Sequence, residues 1–344
     1  MKIFLAGVDR DNHRQVYEYA GLSRGSGVAA PVKPENIRGG GGLSIDGSVS
    51  GKPAHPIEIS ERPANVSNPV MGGGLSLNED IHSGPDELWE HTKRGENCSC
   101  SWPGSPHGER GGYDPLIVKH HPFILESFFY ADADTERLIP YYGDFLLDSG
   151  AFTFMQGKGG SPDWDEYVER YANFINRNKI EKFFELDIDS VVGYDRVKEI
   201  RRKLERLTSR PSIPVWHKSR GICEYRKHCE EYSYVAIGGY VVKELTPKDF
   251  TAFPAMIKIA HDNGAKVHCL GFTKLNDLQK YHFDSVDSTA WTTGNRFGYL
   301  YYFDGRTMQK REPPKAHRIS DSRAAALHNY TEWIKYQKWA LTHL

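Results

Sequence analysis

The chain has 344 residues, of which 39% are hydrophobic, 12% aromatic and 26% charged, and its formal net charge is -1. This length suits one large α/β domain with an insertion, or two small domains. A mean hydropathy of -0.59 argues against a membrane-embedded protein. Because the net charge is close to zero, any nucleic-acid partner must be bound by a local basic patch.

The N-terminal segment, residues 1–8, predicts a buried first strand. Its apolar run is too short for a signal peptide, and charged residues follow at once at positions 9–11. The five cysteines of the chain show no spacing typical of a disulfide framework, which favours a reducing compartment. We therefore expect a cytoplasmic protein without a membrane partner.

Residues 22–112 differ in composition from the rest of the chain. They contain glycine runs at 39–42 and 72–74, many Ser, Pro and Asn residues, and little apolar periodicity. Such a composition buries too little apolar surface to offset the entropy lost on ordering. It predicts a flexible insertion, or alternatively a partner-binding arm, between a first strand segment at 1–21 and a body at 113–319.

From residue 144 onward, short apolar runs alternate with amphipathic helical patterns, as is typical of repeated βα units. The predicted strands are residues 145–147, 183–188, 213–216, 234–237, 266–270 and 283–286. Together with the N-terminal strand they predict an α/β fold, a TIM-type (β/α)8 barrel with a long Gly/Ser/Pro-rich insertion after the first strand.

Four helices have recognisable patterns. The first begins at Ser161-Pro162, and its apolar face is Trp164, Tyr167, Val168, Tyr171 and Ile175. The second carries Val197, Ile200, Leu204 and Leu207 on one face. The third is predicted to begin at Thr246-Pro247 and to end at Asn263-Gly264. The last, at 320–344, carries Leu327, Tyr330, Ile334 and Leu341 on its apolar face.

Polar residues follow the apolar run at five predicted strand ends, which is where barrel enzymes place their active sites. These residues are Asp148 and Ser149; Asp187 and Asp189; His217; Gly238, Gly239 and Tyr240; and Asp284 and Asp287. Each alone has a structural interpretation, such as a turn, a half-buried histidine or a helix cap. Their recurrence at successive strand ends favours a shared site, because converging acids cost stability unless function requires them.

Four of these motifs, in this order, carry a family resemblance. They are Asp148-Ser149-Gly150-Ala151-Phe152, Leu186-Asp187-Ile188, Ala236-Ile237-Gly238-Gly239 and Asp284-Ser285-Val286-Asp287. The set resembles the queuine and archaeosine tRNA-guanine transglycosylases, and more closely the shorter 7-deazaguanine DNA transglycosylases of phages and bacterial genomic islands. The resemblance covers residues 144–298, a little under half of the chain.

The resemblance implies an exchange of guanine in nucleic acid for a 7-deazaguanine (preQ0-type) base through a covalent aspartyl-sugar intermediate. It implies that Asp287 is the nucleophile, Asp148 the proton shuttle and Asp187 a base-binding residue. Gly238 and Gly239 would bring the backbone to the exocyclic groups of the base. Further expected substrate-binding residues are Ser149, Phe152, Asp189, His217 and Tyr240, with Trp291 a third aromatic candidate for stacking on the base.

Three departures qualify the resemblance. Ala151 replaces a family glycine, His217 stands where the family has a base-reading glutamine, and the C-terminal zinc cluster of the tRNA enzymes is missing from the sequence. No cofactor is expected to be required. The remaining zinc candidates are Cys223, His228 and Cys229, although a closed structural site needs four ligands and free thiols are the favoured interpretation.

The short length and the missing zinc cluster resemble the DNA enzymes, so DNA is favoured over tRNA as partner, in the cytoplasm of the host if the chain is phage-encoded. Three alternatives stay open. The first is a tRNA-guanine transglycosylase; the second is another barrel enzyme, such as a glycoside hydrolase or an aldolase-like lyase. The third is a non-catalytic nucleic-acid-binding relative.

Overall fold

A seven-stranded parallel sheet forms the centre of this computed structural model, which describes residues 1–8, 12–22, 89–91, 121–155, 162–272, 274–312, 317–319 and 321–344. In chain order, the strands are β1 (Lys2–Ala6), β2 (Trp89–His91), β3 (Phe123–Ser127), β4 (Asp144–Asp148), β5 (Val215–Trp216), β6 (Tyr234–Ile237), β7 (Lys266–Cys269), β8 (Ser285–Ser288), β9 (Leu300–Phe303), β10 (Met308–Arg311) and β11 (His317–Ile319).

The helices lie between these strands and at the C-terminus. They are α1 (His13–Ala20), α2 (Ala133–Leu138), α3 (Ala151–Met155), α4 (Trp164–Arg177), α5 (Asp189–Val192), α6 (Tyr194–Thr208), α7 (Gly221–Glu231), α8 (Phe253–Asp262), α9 (Leu275–Leu278), α10 (Ala290–Phe297) and α11 (Ser322–His343). Among the described residues, no helix is both long enough and apolar enough to cross a membrane.

The central sheet has the strand order β4-β3-β1-β8-β7-β6-β5, and every neighbouring pair is parallel. Because all pairs are parallel, the carboxyl ends of all seven strands lie at the same end of the sheet. In the register of β1 with β8, Phe4 lies opposite Asp287. The parallel pairing therefore brings the polar residues that follow these strands to the same end of the sheet.

The two faces of the sheet bury different hydrophobic clusters. Along β1, Ile3 and Leu5 belong to the large cluster that includes the helices, whereas Phe4 and Ala6 belong to a smaller one, as the alternation of side chains along a strand requires. The smaller cluster consists of Phe4, Ala6, Phe123, Leu125, Leu146, Phe184, Ile213, Val215 and Ala236. Because it joins residues of the two edge strands, β4 and β5, the sheet is curled around it.

The predicted strand at 183–188 is reduced to two isolated parallel bridges, Leu147–Phe183 and Phe184–Ile213. The amide of Val215 donates to the Glu185 carboxylate at 2.8 Å instead of to a backbone carbonyl. This side-chain bond interrupts the ladder between the segment and β5, so the described sheet has seven regular strands where the barrel prediction required eight.

Helix α4 shows how local sequence determines an element. The Asp163 side chain accepts the amides of Asp165 and Glu166 and begins the helix. The predicted apolar face is buried except for Trp164, which is partly exposed. The start was predicted two residues early, at Ser161-Pro162, because a proline at the first turn and an aspartate cap are both good start signals.

Three predictions about the other helices were wrong. Leu207 of α6 and Leu341 of α11 are exposed, at 43% and 38%. Both lie within the last four residues of their helices. Thr246-Pro247 does not begin α8: the Asp249 carboxylate accepts the Thr246 amide and hydroxyl, a 3-10 turn follows, and α8 begins at Phe253.

The predicted insertion at 22–112 lies outside the described residues except for Leu22 and Trp89–His91. Residues Trp89–His91 form β2, which pairs antiparallel with β11. The composition of the insertion did not indicate this strand. A second two-stranded ribbon, β9–β10, was also not predicted. It is fastened to α11, where Asn329 accepts the amide of Tyr301 and Glu332 that of Phe303.

Candidate active site

Asp287 lies on the inner face of the curled sheet and is only 6% exposed. Its Oδ1 accepts the amide of Gly271 at 2.6 Å and lies 3.2 Å from Nε2 of His268. His268 is fully buried, and its ring lies 6.1 Å from that of Phe4 and 5.3 Å from that of Phe184. The carboxylate is thus fixed by two donors from β7 and the loop that follows it.

His268 is in turn oriented from the opposite side of its ring. Its Nδ1 lies 2.7 Å from the Ser285 hydroxyl, which lies 2.5 Å from the hydroxyl of Tyr234. A hydrogen-bonded series of side chains therefore runs from Tyr234 through Ser285 and His268 to Asp287. The motifs of the sequence did not indicate His268, although a histidine two residues before the end of a predicted strand was the available signal.

Asp284, the other acid of this motif, occupies a different environment. It accepts the amide of Val267 at 2.8 Å and lies 2.9 Å from Nε2 of His261 on α8. The two aspartates are three positions apart and therefore point to opposite sides of the strand. Of the two, only Asp287 is directed into the interior of the curled sheet.

Asp148 ends β4, and its Oδ2 accepts the amide of Gly150 at 3.0 Å. Burial, followed by the negative charge of Asp187 and more weakly that of Asp287, raises the pKa of Asp148 to about 7, although the Gly150 hydrogen bond acts in the opposite direction. Asp148 at the end of β4 and Asp287 in β8 belong to the same parallel sheet. A carboxyl with this pKa can both hold and release a proton near neutral pH.

Gly150 has a structural reason to be glycine. Its φ of +85° lies in the left-handed region, and a Cβ there would come within 2.7 Å of Cβ of Phe129. Tyr167 fastens the same turn by donating to the Ser149 carbonyl at 2.7 Å. These contacts fix the turn that positions Asp148, and Ala151, the next residue, begins α3.

His217 follows β5 and lies between two carboxylates. Its Nε2 lies 3.1 Å from Asp187 and its Nδ1 3.0 Å from Glu244. Burial and the charge of Arg220 act against the charged form, but the hydrogen bond and charge of Asp187, helped by the hydrogen bond of Glu244, raise the pKa of His217 to about 9, which favours an imidazolium at neutral pH. The sequence placed His217 and Asp187 in one site but did not identify Glu244.

The glycine pair after β6 makes room for this histidine. A Cβ on Gly238 would lie 2.9 Å from Cε1 of His217, and one on Gly239, whose φ is +84°, would lie 2.9 Å from a Glu244 oxygen. The amide of Gly238 also donates to the Trp216 carbonyl at 2.8 Å. These contacts supply a packing reason for both glycines, while their contact with a base stays a prediction.

Asp189 is bound by an arginine, Arg220, that no motif of the sequence indicated. The Arg220 guanidinium binds both Asp189 oxygens and donates to the buried Glu185 at 2.8 Å. A second arginine, Arg201, lies 3.2 Å from Glu185. Asp189 thus belongs to a charge network behind the site, and that network holds the segment after residue 184 against β5.

The remaining predicted substrate-binding residues differ in environment. Ser149 is buried and accepts the Ala151 amide at 3.4 Å, whereas Phe152 is partly exposed. Tyr240 is also partly exposed, with its ring 5.1 Å from that of Phe272. Trp291 is fully buried and donates to the Ala6 carbonyl at 2.7 Å, so it is a core residue and not a stacking surface.

The zinc candidates on α7 do not converge. Cys223 is exposed, whereas Cys229 is buried. His228 lies 3.1 Å from the Tyr194 hydroxyl and 3.2 Å from Arg201. Burial and the nearby arginines lower the pKa of His228 to about 3. Within the described ranges, these three residues form no group of neighbouring ligand atoms, because their side chains leave the helix in different directions.

Two surface pockets lie away from these carboxyl groups. The lining residues of the first include Gln279, His282, Arg306 and Trp339, and those of the second include Trp216, Leu245, Phe253 and Met256. Neither is lined by Asp148 or Asp287, and a cavity shared by both aspartates stays a prediction.

The described side chains offer one carboxylate fixed by donors, Asp287, and one carboxyl that titrates near neutral pH, Asp148. An imidazolium between two acids, at His217, adds a fixed positive charge to the same edge of the sheet. The arrangement suits the stabilisation of charge that develops on two sides of a breaking bond.

The chain matches no known protein-family model, and no curated protein matches it.

Proposed function

We propose that this chain is a glycosyltransferase that exchanges guanine in DNA for a 7-deazaguanine base. The observation that carries the proposal is the contrast between Asp148 and Asp287. The pKa of Asp148 is raised to about 7 by burial and by neighbouring acids, whereas Asp287 accepts hydrogen bonds that orient its carboxylate. Breaking an N-glycosidic bond requires both a proton donor and a nucleophile, and two carboxyl groups in different environments supply them.

In the first step, an Asp287 oxygen attacks C1′ of the target deoxyribose on the face opposite the base. The bond between C1′ and N9 of guanine breaks, and its electron pair leaves with the base. The hydrogen bonds from Gly271 and His268 hold the carboxylate in one orientation for this attack. The product of this step is a covalent aspartyl-sugar ester.

Asp148 supplies the proton that the departing guanine needs. In the second step, the deazaguanine replaces guanine, and Asp148 accepts the proton that the incoming base loses as its nitrogen attacks C1′. The ester bond to Asp287 then breaks and the carboxylate is regenerated. One residue serves as acid and then as base, which a pKa near 7 permits.

We also infer that the curled sheet closes into an eight-stranded (β/α) barrel. The bridges Leu147–Phe183 and Phe184–Ile213 support this closure, because they link β4 and the segment before β5, at the two open edges of the sheet. In such a barrel the candidate residues lie at the C-terminal mouth. The target nucleotide must then be unstacked from a duplex, or offered in single-stranded form, to reach them.

The experiment that tests this function measures base exchange. Purified protein is incubated with labelled guanine and, separately, single-stranded DNA, duplex DNA and tRNA, and the label that enters each polymer is counted. Nucleosides of DNA and of tRNA from expressing cells are analysed by mass spectrometry for 7-deazaguanines. Label in DNA supports the proposal, label only in tRNA supports the tRNA-type alternative, and release of free guanine without exchange indicates a glycosidase.

A further inference from the structure

A second cluster of titratable side chains lies away from the candidate active site, where α1 meets α2. His13 begins α1, Asp132 caps the N-terminus of α2, and Asp134 lies in its first turn. One ligand atom from each of the three residues lies within 4.8 Å of the others. The two acids and the histidine therefore come from two segments that are far apart in the chain and converge on one point.

His13 supplies the observation that separates this cluster from an ordinary acidic patch. Its side chain is fully buried, and its Nδ1 has no hydrogen-bond partner within the described part of the chain. That nitrogen lies 3.6 Å from Oδ1 of Asp132. Two ligands that each bind a zinc ion at about 2.0–2.2 Å in tetrahedral geometry are separated by a similar distance.

The other ring nitrogen of His13 is occupied in the way that metal-binding histidines require. Nε2 lies 3.2 Å from Oε2 of Glu126, and Oε1 of Glu126 accepts the Tyr142 hydroxyl at 2.8 Å. A proton on Nε2 makes the hydrogen bond to Glu126 and leaves the lone pair on Nδ1, which faces Asp132. A carboxylate behind the histidine, itself hydrogen-bonded, is the usual support of a metal ligand.

The two aspartates are positioned by bonds of their own. Asp132 Oδ1 accepts the amides of Asp134 and Thr135, and Asp134 Oδ1 accepts the Tyr17 hydroxyl at 2.9 Å and lies 3.1 Å from Arg137. These bonds orient both carboxylates, and a carboxylate offers about four lone-pair positions in all. The ligand set is thus held in place before any ion arrives.

We propose that His13, Asp132 and Asp134 bind one divalent transition-metal ion, with Zn²⁺ as the best-fitting candidate. One imidazole nitrogen and two carboxylate oxygens suit Zn²⁺ and Mn²⁺, and a water completes the coordination. The ion ties the start of α1 to the start of α2 and offsets the three carboxylates that surround His13. This site is independent of the proposed base exchange.

The test is a calorimetric titration of chelator-treated full-length protein with ZnCl2 and, separately, MnCl2. Asp132→Asn removes a ligand charge but preserves the helix cap, since asparagine caps helices as well as aspartate does. The control is Asp163→Asn, which makes the same change at the N-cap of α4, where the aspartate accepts two amides in the same way. Thermal unfolding with and without each ion is recorded for every variant.

We expect wild type and Asp163→Asn to bind one more ion per chain than Asp132→Asn and His13→Gln, or to bind it at least about tenfold more tightly. The ion should raise the midpoint temperature of thermal unfolding only in those variants that bind it. Equal stoichiometry and affinity in wild type and Asp132→Asn would overturn the proposal, as would the absence of binding in wild type. If His13→Gln does not fold, Asp132→Asn decides alone, because its side chain is 27% exposed and the change is small.

Discussion

Nε2 of His268 lies 3.2 Å from Oδ1 of Asp287, and the histidine is fully buried and contacts the rings of Phe4 and Phe184. A buried polar pair is costly unless both members are satisfied, and here each has a second partner. Asp287 also accepts the Gly271 amide, and His268 also contacts Ser285. The orientation of the candidate nucleophile is therefore built into the interior of the sheet.

Substitution of Asp287 by asparagine should abolish base exchange. The expected loss in kcat is at least about 10³-fold, because the amide cannot form the ester with C1′. The covalent adduct, trapped by denaturation and detected by mass spectrometry, should disappear while DNA binding persists. Asp284→Asn is the matched control and should exchange guanine at nearly the wild-type rate. An inactive Asp284→Asn with an active Asp287→Asn would reverse the assignment.

Removal of the His268 contact should lower kcat without a comparable change in KM for the base. His268→Leu leaves the Asp287 carboxylate without one donor, and we expect a loss of about 10²-fold from misorientation. His268→Gln, whose amide can still donate near the position of Nε2, should retain more activity. His261→Gln serves as the control, since His261 contacts Asp284 and not Asp287. Equal kcat in His268→Leu and wild type would show that the contact is only structural.

The stability of the protein should depend on pH through Asp148. Its folded-state pKa of about 7 exceeds the unfolded value near 3.9, so between these values the folded state binds more protons than the unfolded state. The free energy of unfolding should therefore fall as the pH rises from about 4 to 7, by at most about 1.4 kcal/mol per pH unit from this group.

Asp148→Asn should remove that component of the slope in urea unfolding measured across this pH range. The control, Asp262→Asn, changes an exposed aspartate that pairs with Lys258 and should leave the slope unchanged. An identical slope in wild type and Asp148→Asn would contradict the raised pKa. In wild type, kcat/KM should also decrease above about pH 7, as the proton needed by the leaving guanine is lost.

His217 should titrate near pH 9 in the folded protein, as followed by NMR of the labelled imidazole. Because this pKa is raised above the unfolded value near 6.5, its stabilisation is fully present below 6.5 and is lost as the pH rises through 9. Glu244→Gln removes one of the two carboxylates and should lower the pKa of His217, whereas Glu199→Gln at an exposed position should not. A His217 pKa near 6.5 in wild type would disprove the imidazolium.

The sequence by itself indicated six of the seven central strands, all but β3, four of the helices and the order of the polar strand ends. Periodicity identified the buried faces of α4 and most of α6, because a helix buries every third or fourth residue whatever lies opposite. These properties are local, so neighbouring residues suffice to predict them.

Only the tertiary structure decided which side chains meet across the sheet. His268 contacts Asp287 and Glu244 contacts His217 because separate segments are brought together, and no spacing within one segment encodes such contacts. The same holds for Arg220, whose pairing with Asp189 no motif indicated. Charge and hydrogen-bond partners act through space, so the protonation of the site follows from the fold and not from the motifs.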